Sequence, residues 1–77
     1  MPTFNFRERS IEDFDKAIEL DPNLAWAYSN RGFSYHELGQ YQRSIDDYDK
    51  AIELDPNDAE ARTLRQRALR ALEESAK

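Results

Sequence analysis

The chain has 77 residues, carries a formal net charge of −5 and contains no cysteine. That length allows one domain and hides only about 60–65% of the unfolded surface, which leaves a thin stability margin. The missing thiols exclude disulfides and cysteine chemistry. The acidic balance argues against the basic face that a nucleic acid needs, and no apolar run approaches the ~18 residues of a membrane span.

The opening stretch "MPTFNFRERS" has no apolar h-region, so no signal peptide is expected, and the location expected is cytoplasmic. Charge is uneven along the chain. Residues 1–58 hold 13 acids and 6 bases, whereas residues 59–77 hold 3 acids and 5 bases. The basic excess falls on Arg62, Arg65, Arg67 and Arg70, and a run of this kind reads as a solvated helix face.

Four helices are predicted. The first covers about 7–20, with Ile11, Phe14, Ala17 and Ile18 on one stripe. The second covers about 24–38. The third covers about 41–54, with Ile45, Tyr48, Ala51 and Ile52 on the matching stripe, and the fourth covers about 59–75. The spacing i, i+3, i+4, i+7 is helical, and nothing alternates as a strand does. "LDPN" at 20–23 and again at 54–57 should stop the first and third helices, because proline disfavours helix at the residue before it. The Asn after each proline is a candidate cap for the next helix. Gly39 suits the left-handed conformation that closes a helix. Connections this short make consecutive helices antiparallel neighbours.

Residues 10–23 read SIEDFDKAIELDPN and residues 44–57 read SIDDYDKAIELDPN. The copies differ at Glu12/Asp46 and Phe14/Tyr48, and their offset is 34 residues. A 34-residue unit of two helices resembles the tetratricopeptide repeat. The family's pattern of aromatic, small and proline positions appears as Tyr28, Arg31, Gly32, Tyr35, Ser44, Tyr48 and Pro56, with Ala51 at a further small position. Tyr replaces the usual Trp, Arg31 replaces Leu, and Ser44 replaces Ala. Arg31 must therefore snorkel or pair with an acid such as Asp47. The resemblance covers about residues 5–72.

It implies an all-α, antiparallel helix-hairpin array. If the two helices of a repeat are named A and B, the register is B-A-B-A. A half repeat at 5–24 precedes one full repeat at 25–58, and a capping half repeat at 59–77 follows. The first helix then lacks its A partner, and Phe4, Phe6, Ile11, Phe14 and Ile18 form a candidate self-association surface. In the last helix Arg62, Arg65 and Gln66 stand where apolar groups would meet a further B helix, so that end reads as a cap.

The family's concave groove, carried onto this chain, selects Trp26, Ser29, Asn30, Phe33, Glu37, Glu60, Thr63 and Arg67. Asn30 stands where some members place the central Asn of a carboxylate clamp, but Glu60 and Leu64 occupy its basic positions, so that clamp is broken here. Chemistry has little foothold. His36 is the only histidine, only two glycines are present, and the acids at 46–49 lie on a helix without a calcium loop. The expected function is therefore a non-catalytic protein–protein interaction module. A self-associating unit, with a dimer favoured, is the alternative. No cofactor, nucleic acid or membrane is expected as a partner.

Overall fold

The structure, a computed structural model, describes residues 6–76. Its helices are α1 (Phe6–Leu20), α2 (Ala25–Glu37), α3 (Tyr41–Leu54) and α4 (Ala59–Ser75), and the described residues contain no strand. The ends follow from local chemistry. α1 and α3 stop at Leu20 and Leu54, one residue before the Asp of each Asp-Pro-Asn turn. In both turns the aspartate accepts the backbone N–H of the asparagine, Asp21 from Asn23 at 3.1 Å and Asp55 from Asn57 at 3.3 Å. The asparagines thus shape the turns and do not cap the next helix, contrary to the expectation from sequence. The capping positions are Leu24, which offers no side-chain bond, and Asp58, whose carboxylate accepts from Ala61 at 3.1 Å.

α2 ends as predicted. Gly39 has φ 78°, its N–H donates to the His36 carbonyl at 3.0 Å, and the Gln40 N–H donates to the Tyr35 carbonyl at 2.9 Å. This paired closure satisfies the last carbonyls of the helix and needs the left-handed conformation that glycine adopts without strain.

The helices pack in chain order, α1 on α2, α2 on α3 and α3 on α4, with a smaller contact between α2 and α4. Two apolar clusters hold them. Tyr28, Ala51 and Ala61 form one, joined by Ile18, Ile52 and Leu54. Ile45, Tyr48 and Ala68 form the other, joined by Leu64, Leu69 and Leu72. α2 and α3 approach closely at Gly32, which is buried. The all-α array predicted from the repeat is therefore the architecture found.

α1 differs from the other helices in burying no residue completely. Ile18, grouped above with the self-association surface, is half-buried and packs against the Tyr28 cluster. Phe4 lies outside the described residues.

Ser44 is fully buried, and among the described residues its hydroxyl has no hydrogen-bond partner. An unpaired buried hydroxyl costs about 1–3 kcal/mol, and alanine is the better helix former. Ser44→Ala should raise stability by about 1 kcal/mol, which lifts the melting midpoint by about 4–8 °C in a domain this small. Thermal melts followed by circular dichroism check this; an unchanged or lower midpoint means the hydroxyl is satisfied after all.

Candidate functional site

The two sets of residues that sequence kept apart, groove and self-association surface, meet in one cavity of about 480 Å³ between α1 and α2. α1 contributes Phe6, Arg7, Ser10 and Phe14. α2 contributes Asn30, Phe33, Ser34 and Glu37. Helical spacing explains the α2 wall, since residues at i, i+3, i+4 and i+7 share one face. The cavity is rich in aromatic surface: Phe6 is 75% exposed and Phe33 49% exposed. Arg7 reaches across it to Glu37 at 3.3 Å, an exposed pair that contributes little to stability.

Other groove candidates fall elsewhere. Trp26 is 54% exposed but packs edge-on against Phe14, ring centroids 6.3 Å apart, so it flanks the cavity as a prop for α1. Phe33 and Glu37 also line a second, smaller cavity of about 110 Å³ with Arg67, His36, Tyr48 and Leu64. Ser29, Glu60 and Thr63 line neither, and the Thr63 hydroxyl is turned back onto the Ala59 carbonyl at 3.1 Å. Ile11 is half-buried. His36 lies edge-on to Tyr41 at 5.1 Å between centroids. Among the described residues no group of three or more His, Cys, Asp or Glu side chains could hold a metal ion, and no helix is long and apolar enough to cross a membrane.

Behind the cavity Arg31 ties three helices together. Its Nε and Nη2 donate to the two carboxylate oxygens of Asp47 on α3 at 2.9 and 2.7 Å, and Nη1 donates to Asp15 on α1 at 2.8 Å. The guanidinium also lies over the rings of Tyr28 and Tyr35, at 5.5 and 6.0 Å from their centroids. This is the pairing that Arg31 was expected to need. The hydrogen bond to Asp47 is the largest cause of an upward shift in the Arg31 pKa. Burial pushes the Asp47 carboxyl up and the guanidinium pulls it down, with burial the larger effect. The two-pronged geometry fits a charged pair.

Sequence reading missed Asp15 as a second partner of Arg31. It also missed Arg7, Ser10 and Ser34 as cavity residues. One signal for the Arg31–Asp15 pair was available. Arg65 and Asp49 stand 34 residues further on, and they too form a hydrogen-bonded ion pair.

Comparison with known proteins bears on these observations. The profile described as tetratricopeptide repeat matches residues 25–58, the hairpin of α2 and α3. A second profile, described as TPR repeat, matches residues 8–39, the pair α1 and α2. No curated protein matches the chain. The two profiles overlap on α2 and together span about two thirds of the sequence. With its 34-residue period and its antiparallel helices, the chain belongs to the tetratricopeptide repeat family.

Proposed function

We propose that the chain is a non-catalytic protein–protein interaction module, suited by its lack of cysteine to a reducing compartment such as the cytoplasm. Its contact surface is the aromatic cavity between α1 and α2. Proteins of this family generally act through protein partners, and the observation that carries the reading here is the exposure of Phe6 and Phe33, with half-buried Phe14 between them, around one cavity. Aromatic anchors in a pocket dominate binding energy, and a soluble domain rarely leaves several rings uncovered together without use. In this reading 25–58 is the full repeat, 59–77 closes the array, and 5–24 is the half repeat that offers the surface. Asn30 and Glu37 supply polar contacts at its rim, and Arg67 extends the surface towards α4.

Selection of peptides from a displayed library against the immobilised chain tests the reading. Peptides should be recovered, and Phe33→Glu should abolish their binding while the helical signal stays unchanged. Failure to select any peptide, or selected peptides indifferent to Phe33→Glu, contradicts it.

Self-association through the same face is the second reading, and the exposure of Phe6 favours it. Light scattering should then give a mass that rises with concentration and returns to the monomer value on Phe14→Asp. A constant monomer mass removes that reading and leaves the first intact.

A further inference from the structure

α4 carries a polar wall beside α3. Arg62, Arg65 and Gln66 stand at i, i+3 and i+4, so they share one helix face. With Asp49 and Ile52 of α3 they line a cavity of about 360 Å³, which shares no residue with the two cavities described above. Donors outnumber acceptors in it. Arg65 donates from Nε to the half-exposed Asp49, and its two Nη groups have no acceptor among the described residues. The Arg62 guanidinium and the Gln66 amide have no hydrogen bond or ion pair among those residues either. Two guanidinium groups stand against one carboxylate, so the cavity keeps a positive charge in a chain whose net charge is −5.

A helix stacked as α3 is on α2 does not fit over these groups. α3 lies against α2 where Tyr28 and Gly32 are buried, and a Cβ on Gly32 would meet the Ser44 carbonyl oxygen at 3.2 Å. The residues 34 positions further on, in α4, are Arg62 and Gln66. The Gln66 side chain blocks so close an approach, and the Arg62 charge would be buried without a partner. That bar lies in α4 itself and holds for any length of chain on either side.

We infer that the α3/α4 cavity binds an extended acidic segment of a partner protein, with an aliphatic residue between its carboxylates. One carboxylate accepts from the free Nη groups of Arg65 and from the Gln66 amide, and another accepts from Arg62. The aliphatic side chain rests on Ile52, which is half-buried at the cavity floor. Arg31 is the precedent for the charge arrangement. Its guanidinium serves Asp15 and Asp47 together, so a second carboxylate beside the Arg65–Asp49 pair repeats a chemistry the chain already holds. The site is separate from the α1/α2 surface and goes beyond the function proposed for it.

The test titrates the full chain into a fluorescein-labelled Glu-Glu-Leu-Glu-Glu peptide and follows anisotropy. Saturable binding is expected, although the chain as a whole repels an anion. A Gln-Gln-Leu-Gln-Gln peptide should bind at least tenfold more weakly, and Arg62→Gln or Arg65→Gln should each weaken the acidic peptide about tenfold, as loss of a charged hydrogen bond does. Arg67→Gln removes the same charge from α4 but lines the other cavity, so its effect should stay within about twofold once salt screens it. The Arg65–Asp49 pair contributes little to stability, so these variants keep the fold, which circular dichroism verifies. Absence of saturable binding overturns the inference, and so does equal affinity for the glutamine peptide. Equal weakening by Arg67→Gln also overturns it, because the attraction is then diffuse. If binding survives Arg62→Gln and Arg65→Gln but is lost on Phe33→Glu, the peptide occupies the α1/α2 cavity; the inference falls and the interaction-module reading stands.

Discussion

Gly32→Gln is expected to unfold the chain near room temperature. A Cβ built on Gly32 lies 3.1 Å from Cε1 of Tyr48, 3.2 Å from Cβ of Asp47 and 3.2 Å from the Ser44 carbonyl oxygen. Two of those neighbours cannot swing away, because one is backbone and the other is fixed by the Arg31 pair. Alanine gains about 1 kcal/mol of helix propensity over glycine, which offsets much of a tight methyl contact, so Gly32→Ala should change stability by less than about 1 kcal/mol. Glutamine adds four further heavy atoms with nowhere to go. Forcing extra atoms into a packed site costs about 1–3 kcal/mol, occasionally more. Here the helices must also part, which exposes Tyr48 and Ala51, 1% and 0% exposed at present. A core of this size supplies only roughly 3–5 kcal/mol in total. The midpoint should fall by more than about 12 °C, at about 4–8 °C per kcal/mol. A melt of Gly32→Gln that superimposes on the parent would show that α2 and α3 do not pack as described. Gln66→Gly, the reverse change at the counterpart position on α4, should lose only the propensity difference of about 1 kcal/mol.

The same comparison explains what the amino-acid order could disclose. Helix ends were legible because they depend on neighbours in the chain: proline after Asp21 and Asp55, and glycine at 39. The partner of Arg31 was legible because an arginine at an apolar repeat position needs a carboxylate within reach, and Asp47 directly precedes Tyr48 on the facing helix. The capping residues were not. Asp58 and Asn57 are both good caps by type, and only the turn geometry, with Asn57 bonded back to Asp55, decides between them. Nor was the merging of the two candidate surfaces. Phe14 and Phe33 are 19 positions apart, and whether they share a wall depends on how α1 crosses α2, which periodicity within each helix does not specify. The contact of Ile18 with the Tyr28 cluster was hidden for the same reason, since Ile18 shares a stripe with Phe14 but sits a turn further along.

The Arg31–Asp47 pair carries the second large effect. Its carboxylate is 8% exposed and its guanidinium 20% exposed, so water compensates little for a lost partner. Asp47→Ala leaves Arg31 with Asp15 alone, on a side chain that is 52% exposed. The expected loss is about 2–3 kcal/mol, the upper range for hydrogen bonds to charged groups, and it removes half or more of the stability of a small domain. Asp15→Ala should cost less than about 1 kcal/mol, as exposed pairs do. What decides between a charge effect and a packing effect is the double variant Arg31→Met with Asp47→Leu. Replacing a buried pair by apolar residues of similar volume is often neutral, because neither charge then remains without a partner. Urea titrations of Arg31→Met, Asp47→Leu and the double variant should therefore give a double variant more stable than Asp47→Leu alone. If its loss instead equals the sum of the two single losses, the guanidinium and carboxylate act independently. Arg31 is then not the tie between α1, α2 and α3.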